Sequence, residues 1–219
     1  MFSSPFSQKQ AHLIPSDCDV VVVADLFAED YLGGAELTTD ALIKSSPFVI
    51  HKVHSRDVTM KTLESGYNKY WIFANFSSLD TELLPSIVAN IKYTIVEYDY
   101  KFCRYRSIEK HISIEMKECD CHNEMHGKLV SAFFHGAKTV FYMSEAQMQR
   151  YHSRFPFLED HAEGSKQHVL SSVFDDEFFA TNENHMKIFI ENAVGGFFKY
   201  NRLYKLFEKI WLFVLYSHN

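Results

Sequence analysis

The chain has 219 residues, which is enough for one large domain with a core that needs no disulfide staples. Hydrophobic residues make up 47% and charged residues 23%, and these values exclude a disordered chain or a coiled coil. The formal net charge of −6 argues against a broad electrostatic grip on nucleic acid or anionic lipid, so we expect no nucleic-acid partner and only local phosphate contacts.

Six short runs of apolar, β-branched or aromatic residues recur along the chain. They are Val20–Ala24, Phe48–Val53, Tyr70–Ala74, Tyr93–Glu97, Thr139–Ser144 and His168–Ser171. Their spacing leaves room for a crossover helix between successive strands, which is typical of parallel βαβ units. The four valines of the first run indicate a strand buried on both faces. The sequence therefore predicts a three-layer Rossmann-like α/β domain with a mainly parallel sheet of about six strands.

Helical periodicity fills the segments between these runs. Leu83–Ile91 carries an apolar stripe that can lie on a sheet. Asn123 is placed to cap a second helix, and Gly136 is placed to end it. The inward face of that helix is predicted to be Met125, Leu129, Val130, Phe133 and Phe134. Ser144 followed three residues later by Gln147 predicts a capping box at the start of a third helix.

The first candidate ligand site follows the first predicted strand. Ligands of doubly wound sheets bind beyond the carboxyl ends of the strands. Gly33-Gly34-Ala35-Glu36 stands there, just before a predicted helix, where glycines let a ligand approach free N–H groups that suit phosphate. The alternative interpretation is an ordinary turn. The spacing is not Gly-x-Gly-x-x-Gly, which argues against a dinucleotide cofactor.

Polar residues also follow the fourth and fifth predicted strands. The candidates there are Glu97, Tyr98, Asp99, Ser144 and Glu145. The carboxylates after the fourth strand have the chemistry to bind sugar hydroxyls or to act as acid and base groups. The alternative is that they cap the next segment and pair with Arg104 or Arg106. Ser144 is first of all a helix cap, and a ligand could share that helix end.

The stretch from Tyr98 to His122 is about twice the length of a normal crossover loop and is rich in metal-binding residue types. Its candidate zinc ligands are Cys103, His111, Cys119 and Cys121, with His122 and His126 as substitutes. The spacing matches no standard zinc finger or ribbon. We therefore expect buried free thiols and keep a structural zinc site as the alternative.

The expected location is the cytoplasm. The first 19 residues contain no apolar core of a secretory signal, so we expect a reducing compartment without structural disulfides. The longest apolar run, Ile210–Tyr216, is far below the roughly 20 residues that span a bilayer, so no transmembrane segment is predicted. Around it, the aromatic and basic stretch Phe197–Tyr216 is expected to dock on another domain or between chains, with a surface-bound helix, a folded-back helix or a loose tail as alternatives.

The chain resembles the N-terminal, acceptor-side Rossmann-like domain of a GT-B glycosyltransferase and is most similar to family-4 enzymes. The resemblance is carried by Val20–Ala24 with its Gly33-Gly34-Ala35-Glu36 loop, by Thr139–Ser144 running into Glu145-Ala146-Gln147, and by Val169–Phe174. It covers about residues 20–179.

The resemblance implies transfer of a sugar from a nucleotide-diphosphate sugar to a sugar or lipid-linked acceptor, with no required cofactor. It places the catalytic candidates at Glu97 and Asp99. It places donor-diphosphate and acceptor contacts at Gly33, Gly34, Glu36, Tyr98, Ser144 and Glu145.

We expect no counterpart in these 219 residues to the second domain of such an enzyme, which holds the donor. Residues 1–180 are expected to form the Rossmann-like domain, and residues 181–219 a helical tail or remnant, because a donor domain needs roughly 100–200 residues. Glu183 and Glu191 have the family's Glu-x₇-Glu spacing, which we interpret as chance. We expect a chain that is truncated or works with a second domain, a second chain or another copy, and that is inactive alone. The alternative is a non-catalytic binding or regulatory module with an aromatic C-terminal interface.

Overall fold

The computed structural model describes residues 12–159 and 166–170, in which strands and helices alternate. The strands are β1 (Val20–Ala24), β2 (Ile50–His54), β3 (Tyr70–Asn75), β4 (Lys92–Glu97), β5 (Thr139–Tyr142) and β6 (Gln167–Val169). The helices are α1 (Gly34–Lys44), α2 (Met60–Ser65), α3 (Leu84–Asn90), α4 (Ile108–Glu115), α5 (Met125–Gly136) and α6 (Glu145–His152).

The six strands form one all-parallel sheet in the order β2-β1-β3-β4-β5-β6. The predicted α/β fold with a parallel sheet of about six strands is thereby confirmed, and each predicted run overlaps its strand with ends that differ by no more than two residues. From β1 the chain passes to β2 on one side of β1, and it then returns to the other side of β1, where β3 to β6 follow in order. In doubly wound sheets such a reversal opens a crevice at the carboxyl ends of the two strands concerned, here β1 and β3.

The sheet is covered on both faces, as the valine run of β1 predicts. Val21 and Val23 face the larger apolar cluster, which contains residues of α2, α3, α5 and α6. Val20 and Val22 face the smaller cluster, to which α1 contributes Ala41 and Leu42. Because alternate residues of one strand enter different clusters, α1 lies on one face of the sheet and the other packed helices lie on the opposite face.

The predicted start of α5 is wrong in two respects. Asn123 does not cap the helix but lies in a 3₁₀ turn, Cys121–Asn123, and α5 begins after Glu124, which makes no side-chain capping bond. Met125 is 73% exposed rather than inward. The reason is close packing of the turn on the helix, since an added Cβ at Gly127 would lie 2.2 Å from the carbonyl oxygen of Cys121. The rest of the predicted face is inward, with Leu129 partly buried and Val130, Phe133 and Phe134 buried.

Ser144 caps α6 as predicted, but the second bond of the predicted capping box goes to a different backbone N–H. Ser144 Oγ accepts a hydrogen bond from the backbone N–H of Gln147 at 3.1 Å. The Gln147 side chain turns away from Ser144 and accepts from the backbone N–H of Met143 at 2.8 Å. Its amide group also donates to the carbonyl oxygen of Asp99 at 2.8 Å, which ties α6 to the segment after β4.

Several predicted features lie outside the described residues. They are the aromatic stretch Phe197–Tyr216, the proposed tail 181–219, the pair Glu183 and Glu191, and most of Val169–Phe174. Within the part of the chain that is described, none of the helices has the length and apolar character required to cross a membrane.

Candidate functional site

The carboxyl ends of β1, β2 and β3 meet around Asp25, the residue that follows β1. Its carboxylate accepts hydrogen bonds from the hydroxyls of Ser55 and Ser77 and from the backbone N–H groups of Ser77 and Ser78, the last two at 3.1 and 2.9 Å. Burial on its own raises the pKa of Asp25, but these hydrogen bonds outweigh it and hold the pKa below its usual value. Asp25 is therefore a fixed, ionised acceptor at the crevice between β1 and β3.

Arg106 connects this point to the end of β4. Its guanidinium forms a two-bond pair with Asp99, with Nε at 2.7 Å from Oδ2. It also donates to Ser77 Oγ at 2.6 Å and to Asn75 Oδ1 at 3.0 Å, and it lies 3.8 Å from Asp25 Oδ2. The Arg106 side chain remains 41% exposed. We call these five residues, Asp25, Asn75, Ser77, Asp99 and Arg106, the edge cluster.

The backbone of Arg106 is left-handed, with φ 58°. This conformation is uncommon for residues other than glycine and costs free energy that surrounding contacts must offset. The offsetting contacts include those of the edge cluster and the backbone pairing of Tyr100 N–H with the Arg106 carbonyl at 3.2 Å. The segment after β4 is thus folded so that the guanidinium points at the strand ends.

Glu97, a predicted catalytic residue, lies behind the edge cluster and has no exposed surface. Its Oε1 accepts from the backbone N–H of Lys101 at 3.1 Å and from the hydroxyl of Tyr151 at 3.0 Å. Its Oε2 has no hydrogen-bond partner among the described residues and lies 3.9 Å from Lys101 Nζ. Burial raises the pKa of Glu97 to about 8, and the charge of Lys101 opposes that rise.

Asp99, the second predicted catalytic residue, is half-buried and held by two cations. Arg106 binds Oδ2, and Lys101 Nζ lies 2.6 Å from Oδ1. Asp99 thus makes the ion pair with Arg106 that the sequence analysis gave as the alternative to a ligand-binding role. This pairing does not remove Asp99 from the edge, since it is part of the same cluster of side chains.

The diglycine loop lies at the same edge of the sheet. Gly33 is the N-cap of α1 and Gly34 its first residue, and Glu36 is buried in the first turn. Tyr98, which follows β4, shares a hydrogen bond of 2.9 Å with Thr39 of α1. This contact joins the middle of α1 to the residue that follows β4.

Ser144 and Glu145 begin α6 beyond the end of β5 and are exposed. The hydroxyl of Ser144 is used as the helix cap, and among the described residues neither side chain hydrogen-bonds to the edge cluster. The contact between α6 and Asp99 is made by Gln147, whose amide group donates to the carbonyl oxygen of Asp99.

A cavity of about 280 Å³ lies beside the edge cluster. Its polar lining includes Ser77, Lys101, Arg106 and His126, and Phe76 and Leu84 contribute apolar walls. Lys101 Nζ also lies 5.3 Å from the centre of the Phe76 ring. The volume of the cavity lies slightly below the roughly 300–1,000 Å³ that is usual for small-molecule sites.

Sequence reasoning missed Asp25, Asn75, Ser77 and Lys101 as site residues and considered Arg106 only as a partner for Asp99. The rule that ligands bind beyond strand ends could have identified Asp25 and Ser77, because they stand one and two residues after buried strands. Nothing in the spacing indicates that Arg106 reaches back to β3. That contact depends on the folded path of the segment after β4.

A second cluster lies within that same segment. Cys103, His111, Cys119 and Cys121 are all buried, and one ligand atom from each lies within 4.8 Å of the others. The His111 Nδ1 atom is 3.7 Å from the sulfur of Cys103 and 3.5 Å from that of Cys121. The four cysteines of the chain, including the distant Cys18, are free thiols. The substitutes His122 and His126 are not in the cluster, and His126 instead hydrogen-bonds the carbonyl oxygen of Lys101 at 2.8 Å.

Comparisons with protein-family models, curated proteins and solved structures found no significant match to this chain. A functional assignment therefore has to start from the edge cluster, the neighbouring cavity and the start of α1.

Proposed function

We propose that this domain is the acceptor-side half of a glycosyltransferase. In this proposal the carboxyl edge of the sheet holds a sugar-bearing acceptor, and a separate donor domain supplies a nucleotide-diphosphate sugar. The observation that carries the proposal is the edge cluster, in which polar groups from the ends of three parallel strands meet at the reversal of strand order.

The charge balance of the edge favours a neutral ligand with many hydroxyls. Asp25 and Asp99 supply two negative charges, and Arg106 and Lys101 supply two positive charges close by. A balanced site has no net attraction for a polyanion, whereas carboxylate oxygens and guanidinium N–H groups together accept and donate hydrogen bonds to neighbouring hydroxyls. The adjoining cavity offers an apolar wall, Phe76, for the less polar face of a sugar ring.

The two predicted catalytic carboxyls receive different roles in this proposal. Asp99 belongs to the edge cluster and would accept a hydrogen bond from the acceptor hydroxyl that attacks the donor sugar. Glu97 is enclosed and contacts Lys101 and Tyr151, so it would position those groups rather than touch the substrate.

The start of α1 is assigned to the donor diphosphate. The first N–H groups of a helix have no partners within the helix and attract phosphate oxygens. A Cβ added at Gly34 would meet no atom within 4 Å, whereas one at Gly33 would lie 2.4 Å from the Glu36 carboxylate, so the open space lies beside Gly34. A diphosphate carried by a facing donor domain would enter that space.

The proposal is tested by titrating the full chain with glucose, galactose, mannose and N-acetylglucosamine, and separately with uridine diphosphate. At least one saccharide should bind with a millimolar dissociation constant, and Arg106→Gln should weaken it about tenfold, which is about 1.4 kcal/mol. Arg56→Gln is the matched control, because Arg56 is an exposed arginine on the turn after β2.

The outcome of this titration separates the alternatives. Binding that Arg106→Gln weakens and Arg56→Gln leaves unchanged supports the proposal. If no saccharide binds, or if both variants lose binding equally, the acceptor role is wrong. Saccharide binding without transfer, when the chain is mixed with donor domains that use different nucleotide sugars, favours the binding or regulatory module.

A further inference from the structure

We propose that the segment between β4 and α5 contains a closed structural zinc site. The ligands are the four buried side chains described above, Cys103, His111, Cys119 and Cys121. The proposal is independent of the sugar-binding role, because it rests on a different set of atoms.

The distances fit a tetrahedral ion. Zinc bonds of about 2.3 Å to sulfur and about 2.0–2.1 Å to nitrogen place neighbouring ligand atoms roughly 3.5–3.8 Å apart in a tetrahedron. The two sulfur-to-Nδ1 distances of 3.7 and 3.5 Å fall in this range. All four ligand atoms lie within 4.8 Å of one another, so small side-chain adjustments would complete the geometry.

The orientation of His111 also indicates a ligand. The ring is fully buried and therefore cannot hydrogen-bond bulk water. The polar contacts recorded for the ring are those of Nδ1 to Cys103 and Cys121. A buried imidazole aimed at two thiols is poorly compensated as a hydrophobic core residue but well placed as a metal ligand.

The chemistry of the ligand set selects the metal and the type of site. Three thiolates and one imidazole match the Cys₃His sets of structural zinc sites. Such a site carries a net charge of −1, from three thiolates and one divalent ion. Arg104, which is paired with Glu124, is the cation that interacts electrostatically with Cys121. Four buried protein ligands leave no open position for substrate, which makes the site structural rather than catalytic.

The fold explains how distant ligands meet and what the ion would hold. α4 ends at Glu115, and the left-handed backbone of the next residue, Met116, with φ 54°, turns the chain back toward Cys119. Cys103 lies between Lys101 and Arg106, the two cations that contact Asp99. An ion bound at Cys103 would therefore fix the loop that delivers both cations to the strand ends.

The test is metal analysis of the full chain purified without a chelator. Wild type should contain about one zinc per chain, and Cys119→Ala should contain less than about one fifth of that. Cys18→Ala is the matched control, because Cys18 is an equally buried thiol that lies outside the cluster and contacts the Val20 carbonyl oxygen. It should retain the wild-type zinc content.

A second comparison covers the case in which Cys119→Ala fails to fold. His111→Cys keeps a zinc-binding atom and should retain zinc, whereas His111→Ala should lose it. Wild type loaded with Co²⁺ should show the intense visible absorption of a tetrahedral cobalt–thiolate centre. Any of three results would overturn the proposal: the wild type lacks stoichiometric metal, it contains iron in place of zinc, or the Cys119→Ala variant keeps its full zinc content.

Discussion

Replacing Glu97 by glutamine removes a buried ionisable carboxyl and keeps the shape of the side chain. Burial raises the pKa of Glu97 from 4.5 to about 8, so near neutral pH the native chain retains a proton that the unfolded chain has lost. The free energy of unfolding contributed by this group is fully present below pH 4.5 and is lost as the pH rises toward about 8. Glutamine does not titrate and should show no such loss.

The size of the effect follows from the pKa difference. Each pKa unit corresponds to about 1.4 kcal/mol, so the change from 4.5 to about 8 corresponds to on the order of 5 kcal/mol. Attraction to Lys101 is already included in this pKa, and glutamine loses it. We expect the stability of Glu97→Gln relative to wild type to rise by ~3–5 kcal/mol between acidic and alkaline conditions.

Urea unfolding followed by circular dichroism at about pH 5 and about pH 8.5, with ionic strength held constant, measures this difference directly. Glu64→Gln, a change to an exposed carboxylate of α2, is the control and should follow wild type at both pH values. If the stability difference between Glu97→Gln and wild type is the same at both pH values, the reasoning about burial is refuted.

Three further changes test local features of the structure. Ser144→Ala should lower the free energy of unfolding by about 1 kcal/mol in urea titrations, because α6 loses its cap, and an unchanged value would contradict the cap. Gly127→Ala should lower the melting temperature, since the new Cβ would lie 2.2 Å from the Cys121 carbonyl oxygen, whereas Gly34→Ala meets open space and should melt close to wild type. Asp25→Asn should destabilise the chain at neutral pH, because the native hydrogen bonds that lower the pKa of Asp25 stabilise its ionised form. Unfolding measured in acid should show a smaller difference from wild type as the pH falls below 3.8 and Asp25 becomes protonated.

The fold could be predicted from the sequence because it depends on repeated local signals. Apolar runs separated by helix-length intervals specify parallel crossovers, and the valine run of β1 specifies burial on both faces. The start of α5 could not be predicted in the same way. The propensity of Asn123 to cap a helix was overridden by the packing of Gly127 against Cys121.

The candidate site was predictable only in part, because its residues are far apart in the sequence and meet only in the folded chain. Parallel topology places the start of α1 and the end of β4 at one edge of the sheet, and a hydrogen bond joins Tyr98, after β4, to Thr39 in the middle of α1. The reach of Arg106 to Asn75 depends on a left-handed backbone within a long segment, which no spacing rule encodes. The Cys/His set was identifiable by residue type, but its convergence depends on the turn at Met116.

The central claim is that ligands bind at the carboxyl edge of the sheet, at the ends of β1, β3 and β4. It is tested most directly by the amide resonances of isotope-labelled full chain during titration with the saccharide that binds best. The account predicts that the shifted resonances include Asp25, Ser77, Asp99 and Arg106. Shifts confined to the opposite edge, around Lys69 and Lys92 at the amino ends of β3 and β4, would contradict it.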